Sequence, residues 1–238
     1  MSSSQHAVLI LALGAAVLAS ACGKKEADKA DTAPEAQAQT PAPAPAPAPA
    51  PTPAPPPAAA ASTPEEEQRA KLQAKLDYAT MEDGYLNDAR AQWARAAKAS
   101  SGLSEEGDRL PKTPEKSQAW RATGKVDGNS WVNNTQDIGF DWLELSYERP
   151  VNATEVRIIA DGTTVEAMSK LEVIDTDGKA HTVWSGLSDV KPEKRGSRSW
   201  FVKSFAATPY KVQGVKLTVA NNVSRGHKYV DAVQLIGD

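Results

Sequence analysis

Hydrophobic and polar positions alternate most clearly from Phe140 to Ile159, FDWLELSYERPVNATEVRII. Leu143, Leu145 and Tyr147 fall on one side, with Glu144 and Ser146 on the other. Pro150 and Asn152 interrupt, and Val156, Ile158 and Ala160 then alternate again. Period-two alternation rich in β-branched residues and broken by a Pro/Asn turn predicts two half-buried antiparallel strands. The pattern recurs over Ser169 to Asp175, Lys179 to Trp184, Arg198 to Phe205, Val212 to Val219 and Tyr229 to Ile236. Asp177-Gly178 between two such runs is a strong hairpin signal. From Trp93 onward there are about eight strand candidates with no helical pattern between them, which predicts a mainly β protein, a β-sandwich or jelly roll.

Upstream the periodicity changes. Thr63-Pro64-Glu65-Glu66-Glu67 predicts a helix start, with Thr63 as cap, Pro64 at the first position and Glu66 closing a capping box. Leu72, Leu76 and Ala79 share one face, while Tyr78, Met81 and Tyr85 form an apolar side expected to dock on the domain. Gly84 is expected to end or bend the helix. Tyr85 to Ala99 reads as helix by propensity, or over its latter half, near Gln92 to Ser100, as the first strand.

Before the helix the chain changes character. From Thr40 to Ala61 it alternates Pro and Ala, which predicts a disordered, extended, polyproline-like spacer. At about 3.1 Å per residue the stretch from Cys22 to Thr63 spans up to roughly 100 Å. Ala7 to Ala21 is an apolar run ending in small residues, too short for the roughly twenty residues of a spanning helix, and reads as a signal peptide. The reading therefore divides the chain into a leader (1–21), a tether (22–63), a helical segment and junction (64–91) and a β domain (92–238).

Leu18-Ala19-Ser20-Ala21-Cys22 resembles the lipobox of bacterial lipoproteins, with the leucine one place further back than usual. The resemblance implies lipidation of the Cys22 thiol, cleavage before it, acylation of the new amino terminus and a membrane anchor of several chains. Gly23 rather than Asp after the cysteine implies the outer membrane. The alternatives are a plain leader with Cys22 incidental, or an uncleaved anchor. Cys22 is the only cysteine, so no intramolecular disulfide forms. The net charge of −3 is too small to point to nucleic acid.

The order ARAAKASS, ATGKVDGNSW, DWLELSYERPVNATEVRI, KLEVIDTDGKAHTVW and a closing YVDAVQLIG resembles the galactose-binding-like jelly rolls, among them discoidin-type domains and many carbohydrate-binding modules. The resemblance covers Gln92 to Asp238 and implies binding rather than catalysis, with sugars, glycolipids, phospholipid headgroups or proteins as ligands. It also implies a structural calcium near VDGNSW, held by Asp127 and Asn129 with Asp231 of the last strand, where alternation puts Asp231 on the side of Val233 and Leu235. The alternative is that Asp127 shapes its turn and Asp231 pairs with a base or a backbone amide.

A sugar site needs an aromatic platform and planar polar groups. Of the six tryptophans, Trp131 and Trp142 are expected in the core, while Trp184 and Trp200 flank the loop SGLSDVKPEKRGSRSW. Trp184, Lys194, Arg195, Arg198 and Trp200 are therefore the candidate ligand residues, with Lys191 nearby and Asp189 and Glu193 as counter-charges. Guanidinium forks suit carboxylate or phosphate groups; the alternative is a solvated basic loop. A second candidate is the polar loop Asn221 to Tyr229, with His227, while packing accounts for His181. No nucleophile elbow, metalloprotease helix, paired Cys/His spacing or phosphate loop is present. Asp137 and Asp141 near Glu144 could be imagined as a two-carboxylate glycosidase site, but their spacing is not diagnostic. The expectation is a lipoprotein presenting a non-catalytic module for carbohydrate or another envelope polymer; the alternative is a structural or protein-interaction lipoprotein of an envelope complex.

Overall fold

A computed structural model describes residues 63–104, 108–109, 117–134, 136–196 and 198–238; the leader, Cys22 and the Pro/Ala tether lie outside the described residues. Helix α1 (Pro64–Leu86) begins as the sequence predicts. The Thr63 hydroxyl accepts from the Glu66 amide at 3.3 Å, and the Glu66 carboxylate accepts from the Thr63 amide at 2.8 Å. The helix runs through Gly84, where a stop or bend was expected. A glycine inside a helix costs only about 1 kcal/mol, and Asn87 caps the end, its side chain donating to the Asp83 carbonyl at 3.0 Å.

The strands follow as β1 (Ala91–Trp93), β2 (Ala96–Ala99), β3 (Trp131–Val132), β4 (Phe140–Val151) and β5 (Ala153–Ala160). A short helix, α2 (Thr164–Ala167), leads into β6 (Met168–Asp175) and β7 (Ala180–Ser185), and β8 (Ser199–Ser204), β9 (Val212–Ala220) and β10 (Tyr229–Gly237) complete the chain. The first sheet has the order β1-β10-β5-β8 with β3 also on β10; the second has the order β2-β4-β9-β6-β7. Every pairing is antiparallel. This is the mainly β sandwich, preceded by a helix, that the alternation and the resemblance implied.

The ambiguous stretch after α1 resolves into two strands: β1 pairs with β10 in one sheet, then β2 pairs with β4 in the other. Pro150 does not break β4; the β4–β9 pairing jumps from Ser146 to Val151, so the residue lacking an N–H sits in an irregularity. The Asp177-Gly178 hairpin closes with the Asp175 amide on the Lys179 carbonyl at 3.0 Å and Gly178 at φ +82°.

Leu143, Leu145, Val156, Ile158, Leu217, Val233 and Leu235 fill the space between the sheets with no exposure, each contributing about 1.5–3 kcal/mol. Trp131 is in this core as expected, its indole N–H on the Ser101 carbonyl at 2.9 Å. Trp142 is not: alternation with buried Asp141 and Leu143 turns it to the outer face of the second sheet, half-buried, with Lys216 Nζ 4.4 Å from its ring. A second cluster lies on the outer face of the first sheet, where Tyr78 of α1, with Met81 and Tyr85, covers Ile159, Trp200 and Ala232. Arg157 fastens the helix end, its guanidinium 4.2 Å from the Tyr85 ring and 3.0 Å from Asp88. Leu72 and Leu76 remain mostly exposed, so the docked side is the tyrosine side.

The registers set which loops share an end. Phe140 pairs with Ala220, Met168 with Val219, Ala160 with Ser199 and with Val230. The connections 133–139, 161–163, 186–198 and 221–228 therefore leave the same end of the sandwich.

Candidate ligand-binding site

The loop between Trp184 and Trp200 uses its charges on itself and on α1. Glu193 takes Arg195 through two hydrogen bonds of 2.8 Å, and the Arg195 guanidinium holds the Glu193 carboxyl down at about 2. Lys191 reaches Glu166 at 3.0 Å, and Arg198 faces Glu82 of α1 at 3.4 Å. The Arg198 carbonyl accepts from the Tyr78 hydroxyl at 2.5 Å. Trp200 is buried under α1, 5.1 Å from the Tyr85 ring, with its indole N–H 3.3 Å from Glu82. Trp184 instead meets Phe201 edge-on at 5.1 Å, and neighbours in a strand project to opposite faces. The structure therefore does not bring Trp184 and Trp200 together as one platform. Lys194 is exposed, while Arg195 and Trp200 line a hollow of about 300 Å³ whose other wall is Tyr78 and Tyr85.

The second candidate loop is built differently. Lys228 is fully buried, and its ammonium donates to the carbonyls of Asn221 at 3.2 Å, Ser224 at 2.8 Å and Gly226. Beside it Asp141, also buried, accepts from the hydroxyls of Ser100 and Ser101 at 2.7 and 2.8 Å and from the amides of Asn133 and Asn221 at 2.9 and 3.1 Å. Burial alone would raise the Asp141 carboxyl, but these four donors hold it below the usual carboxylate range. Burial lowers Lys228, opposed by the charges of Asp137 and Asp141. A buried charge is tolerated when its hydrogen-bonding capacity is filled, so this base holds the loop in one shape.

The loop is pinned from above as well. The Tyr229 amide donates to Thr164 Oγ1 at 2.9 Å, and the Gly226 amide to Asp137 at 3.1 Å. His227 Nδ1 lies 2.7 Å from the Asn133 carbonyl, which only accepts, so the proton sits on Nδ1 and Nε2 faces the Gln136 amide. Both ring nitrogens are thus engaged, and His227 acts as a wall rather than a hand. The result is an open hollow of about 500 Å³ lined by Asp161, Thr163, Arg225, His227 and Tyr229. Tyr229 is 39% exposed there. Arg225 is exposed and makes no ion pair among the described residues. The sequence pointed to residues 221–229 but missed Asp161 and Thr163, which come from the far end of β5. It also missed Lys228 and Asp141, whose burial has no local signature.

The residues assigned to calcium make the contacts of the alternative, a shaped turn and a carboxylate on backbone amides. Both Asp127 oxygens accept from Asn129, from its backbone amide at 2.8 Å and its side chain at 3.0 Å. The Asp231 carboxylate accepts the amides of Asp127 and Gly128 at 3.3 and 3.2 Å. Burial raises the Asp231 carboxyl, against those two amides. No three His, Cys, Asp or Glu side chains converge as metal ligands among the described residues. An irregularity between Val230 and Ala232 also breaks the alternation that placed Asp231 beside Val233. The glycosidase acids are each engaged in structural contacts: Asp137 holds a loop amide, Asp141 is buried, and Glu144 lies on the outer face 2.8 Å from Lys98.

Comparison with protein-family models gives no match, and comparison with curated proteins gives none. Among solved structures, the chain is similar to chitosan-binding module 1 of a chitosanase/glucanase from Paenibacillus sp. IK-5, at 13% identity over 60% of this chain and 96% of that one, with a TM-score of 0.45. It is similar to the family 32 carbohydrate-binding module of C. perfringens NanJ in complex with galactose, at 14% identity over 63% and 96%, with a TM-score of 0.42. It is also similar to the N-terminal domain of the single-strand break repair protein XRCC1, at 13% identity over 60% and 97%, with a TM-score of 0.42. What each of those proteins binds belongs to that protein.

Proposed function

We propose that this chain is a lipoprotein, anchored through Cys22 in the bacterial outer membrane, that presents a non-catalytic binding module for carbohydrate or another envelope polymer in the hollow beside Tyr229. One observation carries the reading: a partly exposed tyrosine, a guanidinium with no ion pair among the described residues, and hydroxyl and carboxylate groups line one hollow on a loop fastened by Lys228 and Asp141. The Tyr229 ring suits the apolar face of a sugar, and Arg225, Thr163 and Asp161 suit its hydroxyls. The Lys228–Asp141 base lowers the ordering cost of binding, because the loop is set before the ligand arrives. The structural contacts that engage Asp137, Asp141 and Glu144 support a binding rather than a hydrolytic role.

A second reading rests on Ile138 and Phe140, 70% and 68% exposed, and Val223, 43% exposed, beside the same loop. Such an apolar rim favours a protein partner in an envelope complex. The two readings separate in a screen of the full chain against glycans and envelope polysaccharides. The first predicts retention on a saccharide, with Tyr229→Ala weakening it at least tenfold and leaving the melting temperature in place. Absence of any saccharide binding, with an envelope protein recovered through Phe140, selects the second. Cys22→Ser should move the protein from the membrane to the soluble fraction; unchanged membrane partitioning would remove the lipid anchor.

A further inference from the structure

The edge of the sandwich where the chain changes sheets carries a second site. β1 belongs to one sheet and β2 to the other, so Ala94 and Arg95 cross the gap and form a side wall. The Gly124 amide donates to the Ala94 carbonyl at 2.9 Å and brings Lys125 over this wall. From β4, the Arg149 backbone exchanges two hydrogen bonds with the Gln92 side chain, at 2.7 and 3.1 Å. Between these fastenings lies a hollow of about 250 Å³ lined by Trp93, Arg95, Lys125, Glu148 and Arg149.

Its electrostatics run against the chain as a whole, which is net acidic. Three cations stand against one carboxylate. Arg95 lies 3.7 Å from Glu148, and both side chains are mostly exposed, so that pair is weak and readily exchanged. Lys125 and Arg149 make no ion pair among the described residues. Trp93 is half-buried, packed on one side against the cluster under α1, and lines the hollow. The 3-10 turn just before this loop (Ala119–Ala122) carries Trp120, 61% exposed and outside the lining of the hollow, with the Arg121 guanidinium 5.6 Å from its ring.

We infer that this side wall binds an anionic polysaccharide, a polymer of hexuronate residues, independently of the loop-end hollow. An indole beside three cations suits the apolar face of a pyranose and the carboxylate it carries. A concave hollow suits a sugar ring better than a bilayer surface, which needs apolar side chains that protrude together. The binding is electrostatic in part and weakens with salt.

Affinity electrophoresis of the full chain in gels containing polygalacturonate, dextran or no polymer tests this. The site predicts retardation by polygalacturonate alone, reduced at about 150 mM salt. Lys125→Gln with Arg149→Gln should raise the dissociation constant at least tenfold, at an unchanged melting temperature because both side chains are exposed. Tyr229→Ala should leave the retardation intact, so failure here and failure at the loop end are distinguishable. No retardation of the natural chain, equal retardation by dextran, or an undiminished effect in the double variant overturns the inference. Loss through Tyr229→Ala instead, or binding of anionic vesicles without polysaccharide binding, overturns it too.

Discussion

The loop from residue 186 to 198 and the loop from 221 to 228 leave the same end of the sandwich, and both are rich in cations. In the first, Arg195 is neutralised by Glu193 two residues away, Lys191 by Glu166, and Arg198 by Glu82 of α1. Its aromatic partner, Trp200, lies under the same helix. In the second, Lys228 is withdrawn into the base as a scaffold, and Arg225 is left facing outward beside an exposed tyrosine. The same composition therefore yields a clasp in one loop and an open recognition surface in the other. What decides is where the nearest acid lies in space, and for Arg198 that acid is 116 residues away along the chain.

The contrast can be broken most severely at Lys228. Lys228→Met leaves three carbonyls and a buried carboxylate without their cation, and is expected to cost about 4 kcal/mol in denaturant unfolding. A loss below about 1 kcal/mol would mean that the second loop does not rest on this base. Trp200→Ala breaks the clasp and should cost about 3 kcal/mol, because it empties the space between α1 and the first sheet. The same change should leave saccharide retention unaltered; lost retention at preserved stability would return the site to the first loop.

A smaller effect comes with acid. The Glu193 carboxyl is held at about 2 in the fold, below its ordinary value, and Asp141 is held down as well. A depressed acid contributes stability that is present above its unfolded pKa and lost as pH falls through its folded pKa. Thermal stability should therefore decline as pH falls from about 5 towards about 2, where Glu193 protonates, and Asp141 adds to the decline in the same direction. Asp231 works with the opposite sign, because burial raises it and its charge is relieved on protonation. Glu193→Gln should flatten the lower part of the decline; an identical pH profile in that variant would show that the Arg195 pairing is not coupled to folding.

The strands were legible because alternation is a local property: Leu143, Leu145 and Tyr147 point inward wherever β4 lies, and all three are buried. Alternation says which residues share a face, but not what covers that face. It placed Trp200 correctly in a strand and could not reveal the helix above it. Trp142 reversed the error: it was expected inside, and its strand turned it out under Lys216. The register irregularity beside Asp231 escaped notice because one extra residue shifts the face of its neighbours without changing the composition. Lys228 was the least legible of all, since a lysine in a polar loop reads as solvated until the three carbonyls around it are known.

The central contrast is tested most directly by titrating one retained saccharide into two double variants of the full chain. Arg225→Ala with Tyr229→Ala should weaken binding at least tenfold, about 1.4 kcal/mol or more, while Arg195→Ala with Arg198→Ala stays within about twofold of the natural chain. Undiminished binding in the first pair and its loss in the second would contradict the account.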